Sequence, residues 1–262
     1  MKPSSILNLF KKIAKISSFK EDYIQTLISS GVKIIDSKSV FIDDSVEISP
    51  GSVIYPSTYL IGKTKIASNC IIGPNTTISN SSVGDNSIVM SSVILDSFIG
   101  ENNEIGPFSF IRESSSTEEN VVIGNFVEIK SSKIGKNSKS KHLSYIGDAE
   151  INENVNFGAG FVMANYDGKN KNKSIIEDNV FIGSNSTVIS PVVIKNDAII
   201  GAGSVVTKSV PPYALIVGNP GKQIGWVSEY GHRLNFNEKG LAFCEESMEK
   251  YMLSDGQVNK VL

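Results

Sequence analysis

One aliphatic residue returns every six positions along most of this chain. Ile42, Ile48, Ile54, Leu60, Ile66, Ile72 and Ile78 hold that spacing strictly. The register slips by one residue, resumes at Val83 and Val89, and resumes again at Ile99, Ile105 and Ile111. The same beat returns downstream at Ile176, Ile182, Val188, Ile194, Ile200 and Val206. A six-residue period is neither the helical period nor plain strand alternation. It fits a coil of short strands separated by tight corners, in which each strand points one aliphatic side chain inward. Three such sides close a triangular turn. The pattern therefore predicts an all-β fold, a left-handed parallel β-helix of hexapeptide repeats. Gly and Asn suit its corners because they tolerate positive φ. Inward residues would stack on their counterparts one turn away, at the strand spacing of about 4.8 Å. Residues 35–217 would then make roughly ten turns of about 18 residues each.

Two segments lie outside the beat. Residues 1–34 carry apolar residues at helical spacing, Ile6, Leu9, Phe10, Ile13 and Ile16, with charges on the other face. A short N-terminal helical segment is expected there, packed on the first coil or on a neighbouring subunit. Residues 218–262 lose the beat and read as a turn-rich C-terminal tail with hairpins in "FNEKGLAF" and "YMLSDGQVNKV". A tail of this kind can cap the coil, because an open β-helix end exposes strand edges.

Composition narrows the function. The 262 residues carry a net charge of −2 with both signs scattered, which points away from nucleic acid. Cys70 and Cys244 stand far apart without partner spacing, which argues against a disulfide framework and against zinc. The N-terminus interrupts its apolar residues with lysines, unlike a signal peptide, and no apolar run is long enough to span a bilayer. A cytoplasmic protein without a membrane partner is the expectation.

Interruptions of a solenoid emerge on one face and often carry function. The clearest is "FVMANYDGKNKNKS", residues 161–174, which holds Asn165, Tyr166, Lys169, Lys171 and Lys173. Its reading is either a plain surface loop or a loop that carries cations to phosphate groups, a task suited to the mobile charge of lysine. A second irregularity, "SSKIGKNSKSKHLSYIGD", holds His142, one of only two histidines in the chain.

Five stretches make the sequence more specific. "GPFSFIR", "IGNFVEIK", "SKHLSYIGDAEI", "NVNFGAG" and "NYDGKNKNKSIIEDNVFIGSN" resemble the acetyltransferase domain of the bacterial bifunctional glucosamine-1-phosphate acetyltransferase/N-acetylglucosamine-1-phosphate uridyltransferase, from about residue 24 to about 210. The resemblance implies a homotrimer with active sites between subunits and acetyl transfer from acetyl-CoA to the amine of glucosamine 1-phosphate. It implies that His142 is the general base. It implies acceptor ligands Arg112, Lys130, Tyr145 and Asn156, with Lys171 nearby. On the coenzyme side it implies Ala159, Asn165, Tyr166, Ser184 and Ala202. No metal is required for acetyl transfer.

The chemistry is coherent on its own terms. A sugar ammonium must lose a proton before it attacks a thioester, and histidine is the side chain matched to accept one near neutrality. The tetrahedral intermediate needs a donor such as a backbone N–H at a coil corner. His232, in the tail, is read as structural. Three departures from the family pattern stand out. No counterpart of the nucleotidyltransferase domain can be placed, so uridylyl transfer is not expected. The arginine that usually follows the last coil is missing, and "GNPGK" makes Lys222 its substitute. The tail "IGWVSEYGHRLNF…GLAFCEESMEKYML" resembles that of acetyltransferases acting on UDP-linked amino sugars in surface-polysaccharide synthesis, which supplies an alternative acceptor. A γ-type carbonic anhydrase shares the coil but needs three zinc-bound histidines, one more than the chain has. A non-catalytic scaffold would have no use for this set of polar residues.

Overall fold

The computed structural model describes Leu7 and residues 21–261. Ile6, Leu9, Phe10, Ile13 and Ile16, the helix predicted near the N-terminus, lie outside the described residues. The chain divides into two compact units, one ending at Lys133 and the other beginning at Ile134. Both are built from parallel strands of two to four residues wound as a left-handed β-helix.

Among the described residues, the first unit has a helix, Glu21–Ser29, that buries Ile24 and Leu27. It ends at Gly31, where φ is +98°, with Val32 N–H donating to the Leu27 carbonyl and Gly31 N–H to that of Ile28. Glycine is needed there because this C-cap demands a left-handed residue. The coil follows at once. One face stacks Lys33–Ile34, Val53–Ile54, Ile71–Ile72, Ile88–Val89 and Glu104–Ile105 in parallel register. A second face aligns Ile42, Leu60, Ile78, Ile94, Ile111 and Ile129, and a third aligns Ile48, Ile66, Val83 and Ile99. Every residue of the six-residue beat in this unit is buried. Each such side chain contributes about 1.5–3 kcal/mol by leaving water. Corners fall on Asn69, Asn86, Asn102 and Asn120, all at positive φ. Asparagine visits that region at small cost because its short side chain bonds locally.

The second unit repeats the plan. Ile151, Ile176 and Ile194 form one inward row, Met163, Val188 and Val206 another. The remaining row runs Ser140, Phe157, Ile182, Ile200 and Ile216, so a serine stands where the pattern expects an aliphatic residue. Ser140 is 1% exposed and its hydroxyl has no hydrogen-bond partner. Corner asparagines bond to one another up this unit. Asn137 Nδ2 donates to Asn154 Oδ1, Asn154 to Asn179, and Asn179 to Asp197, each at 3.1 Å.

After the coil, Lys222–Val227 pairs antiparallel with Ala214–Val217 and covers the edge of that parallel face. Leu241–Cys244, Glu249–Ser254 and Gln257–Val261 form an antiparallel sheet of their own. The "YMLSDGQVNKV" hairpin turns at Asp255 and Gly256, both at positive φ, as a two-residue primed turn requires. The "FNEKGLAF" stretch forms a turn at Asn237–Gly240 rather than a strand hairpin. Its second half, Leu241–Cys244, pairs with Glu249–Met252 instead, because the longer strand offers more backbone partners.

Candidate active site

In the first unit, Phe110–Arg112 and Glu128–Lys130 are neighbouring parallel strands in which Arg112 lies directly beside Lys130. The spacing of one coil turn thus places two cations on adjacent rungs. Neither is bare. Arg112 Nε donates to Glu128 Oε1 at 2.8 Å, its guanidinium also reaches Glu113, and its cationic carbon lies 5.3 Å from the Phe110 ring centre. Lys130, with its side chain 8% exposed, places Nζ 3.3 Å from Glu113 Oε2. Burying an ammonium is expensive unless it is paired, and Glu113 supplies that pairing. Sequence reading missed Glu113 and Glu128. Their only signal was a carboxylate one or two residues from each predicted cation.

The other predicted residues belong to the second unit. Lys139–His142 ends at a corner where His142 is exposed and Leu143 takes a positive φ. Successive corners stack above it. Gly160 N–H donates to the His142 carbonyl, Asn185 N–H to that of Ala159, and Gly203 N–H to that of Ser184. His142, Ala159, Ser184 and Ala202 therefore form one column, with Ser184 and Ala202 exposed like His142. Glycine precedes three of the four for a steric reason. A Cβ on Gly158 would lie 2.4 Å from the Ser184 nitrogen, and one on Gly183 would lie 2.4 Å from the Ala202 nitrogen. Real carbons do not approach so closely, and the obstacle is backbone.

Beside this column sits a polar cluster. Tyr145, half-buried on Tyr145–Gly147, lies 3.5 Å from Nδ2 of the buried Asn165, which also donates to Asp148. Asn165, expected on the coenzyme side, thus shares a cluster with Tyr145, expected on the acceptor side. A Cβ on Gly147 would meet Tyr145 Oη at 2.4 Å and Asn165 Nδ2 at 2.8 Å. Gly147 and Asp148, both in the "YIGDA" motif, were not singled out from sequence.

The lysine-bearing interruption is ordered rather than loose. Tyr166 and Lys171 bridge as an antiparallel pair, and Asn172 N–H returns to the Asn165 carbonyl at 2.7 Å. Asp167 Oδ1 accepts from the amides of Asn170 at 2.7 Å and Lys169 at 2.8 Å, which holds its carboxyl below the usual range. The side chains of Lys169, Lys171 and Lys173 are exposed, with Lys173 Nζ 2.7 Å from Glu150. Asn156 lies on Asn156–Phe157, in register with Lys139 below and Phe181 above. Lys222 begins the strand that turns back on Val217, and its side chain is exposed.

A fold of hexapeptide turns with a polar corner column defines a class, and comparison with known proteins agrees. The model "GMPPB C-terminal domain" matches residues 36–139, and "Bacterial transferase hexapeptide (six repeats)" matches residues 173–208. A UDP-N-acetylglucosamine acyltransferase of Francisella novicida has the same fold, with a TM-score of 0.55 at 20% identity over 74% of this chain and 70% of that one. The chain is a left-handed β-helix protein of the hexapeptide-repeat class.

Its sequence carries a more specific likeness. It is 48% identical over 202 residues to the bifunctional protein GlmU of Clostridioides difficile, covering 76% of this chain and 44% of the relative. It is 47% identical over 206 residues to that of Thermotoga maritima, covering 78% and 46%. About three quarters of the chain is similar to these GlmU proteins, and it spans less than half of their length.

Proposed function

We propose that the protein is an acetyl-CoA-dependent N-acetyltransferase acting on an amino-sugar phosphate, most simply glucosamine 1-phosphate. The observation that carries this reading is the corner column, in which an exposed histidine shares one ladder of stacked turns with Ala159, Ser184 and Ala202. A long, thin coenzyme arm suits such a ladder. The arm would lie along Ala159, Ser184 and Ala202, with Tyr166 beside it and Lys222 toward the coenzyme phosphates. Its thioester would then end near His142.

In the reaction, the sugar amine gives a proton to the His142 imidazole and its nitrogen attacks the thioester carbonyl carbon. A backbone N–H at the coil corner holds the oxyanion. The C–S bond then breaks, and the departing thiolate takes the proton from the imidazolium, leaving the amide. Tyr145, Asn156 and Asn165 would position the sugar. Arg112, Lys130 and Lys171 would take its phosphate. Glu113, set between Arg112 and Lys130, occupies the place a dianion would seek and would have to yield it.

The assembly proposed is a homotrimer in the cytoplasm, with neighbouring subunits completing each site. Among the described residues, no helix is long and apolar enough to cross a membrane. The tail favours a second reading of the acceptor as a UDP-linked amino sugar. A thiol-release assay with acetyl-CoA tests both. Turnover of glucosamine 1-phosphate supports the first acceptor, turnover of only a nucleotide-linked amino sugar supports the second, and turnover of neither removes the enzymatic reading.

A further inference from the structure

The tail contains a group of side chains that acetyl transfer does not use. His232, Cys244 and Glu246 each turn one donor atom toward a common point, and the three atoms lie within 4.8 Å of one another. His232 Nδ1 is 2.7 Å from Glu246 Oε2, and Cys244 Sγ is 3.6 Å from the same oxygen. Two tight turns deliver them. The first closes from Ser228 to His232, with Gly231 N–H bonded to the Ser228 carbonyl and His232 N–H to the Ser228 hydroxyl. The second links Leu241–Cys244 to Glu249–Ser254, which pair at Cys244 and Glu249. The Tyr230 ring packs edge-on against His232 at 5.0 Å.

We propose that these two turns form a metal site of the zinc type, with His232 Nδ1, Cys244 Sγ and a Glu246 oxygen as ligands. Thiolate, imidazole and carboxylate together select zinc over magnesium or calcium, which prefer oxygen alone. Tetrahedral zinc with bonds of about 2.0–2.3 Å needs donors about 3.3–3.8 Å apart. The 3.6 Å between Cys244 Sγ and Glu246 Oε2 already fits, the 2.7 Å between His232 Nδ1 and that oxygen must widen by about 0.6 Å, and no pair exceeds 4.8 Å, shifts within reach of rotamer adjustment. Binding displaces the thiol proton to solvent, leaves the imidazole neutral and takes up the carboxylate already aimed at it. The fourth position falls to water or to a neighbouring hydroxyl. Ser247 Oγ lies buried in the same turn.

The site also answers a structural need. The local core consists of Leu234, Ala242, Cys244, Tyr251 and Val258, and small cores are commonly stapled by a metal.

The test is a titration of metal-free full-length protein with cobalt(II), read by the thiolate-to-cobalt charge-transfer band. The expected result is a band saturating at one ion per chain, displaced by zinc, kept in Cys70→Ser and lost in Cys244→Ser. His232→Ala and Glu246→Gln should each weaken binding. Both side chains are almost half exposed, so circular dichroism should show an intact fold in those two variants even if Cys244→Ser misfolds. Absence of the band in wild type, or binding unchanged in both His232→Ala and Glu246→Gln, would overturn the site.

Discussion

Asp197 ends the asparagine ladder of the second unit with a carboxylate, and replacing it by asparagine should stabilise the protein in a pH-dependent way. The residue is 9% exposed and accepts from Asn179 Nδ2 at 3.1 Å. Burial is the largest influence and raises its carboxyl from 3.8 to about 6, with Glu229 and Asp178 adding repulsion while Asn179 and Lys260 oppose it. A carboxyl raised in the folded state stabilises the fold fully below about pH 3.8. That contribution is lost as pH rises through about 6, because the folded chain holds the proton longer than the unfolded chain. The rise corresponds to about 3 kcal/mol at most, and water at the rim reduces it to about 1–3 kcal/mol. Asp197→Asn keeps an oxygen for Asn179 and removes the charge. Urea unfolding of both proteins across the pH range should give an advantage to the variant that is small near pH 4, grows to about pH 7 and then levels off. An advantage independent of pH, or one that shrinks as pH rises, would mean that the buried Asp197 charge does not destabilise the fold.

Other substitutions separate packing from chemistry. Gly183→Ala places a carbon against the Ala202 backbone and should cost about 1–3 kcal/mol or more in denaturant unfolding. Gly147→Ala meets movable side-chain atoms of Tyr145 and Asn165, so turnover should fall further than stability does. Ser140→Ala removes a buried, unpartnered hydroxyl and should raise stability by about 1 kcal/mol in the same unfolding assay. Arg112→Ala should raise KM for the phosphorylated acceptor by roughly 10–100-fold, the worth of a charge-assisted hydrogen bond, while KM for acetyl-CoA stays unchanged.

The coil was legible because its physics is repetitive. Each side must bury one residue, so Ile54, Ile72 and Ile182 announce their orientation by spacing alone. Corners were legible where asparagine or glycine stands and opaque where they carry bulk. Phe108 and Phe126 take positive φ and stack with ring centres 5.4 Å apart, which no local preference foretells. Inward Ser140 and Thr117 break the aliphatic rule without a sequence warning. The grouping of the candidate site residues was only partly legible. Corner partners Asn137 and Asn154 are 17 residues apart and Asn179 and Asp197 are 18, yet Asn154 and Asn179 are 25 apart because the lysine loop intervenes. Counting by six loses register across that insertion, and with it the alignment of Ala159 with Ser184. Carboxylates such as Glu113 and Glu128 escape notice because the sequence does not say which surface acid folds back on a cation.

We propose that His142 takes the amine proton on a coil that binds acetyl-CoA. The direct measurement is kcat for acetyl transfer to glucosamine 1-phosphate in wild type and His142→Ala, with the Kd for acetyl-CoA measured on both. The expected result is a fall in kcat of about 10²–10⁴ at an unchanged Kd. A variant that keeps wild-type kcat would contradict it.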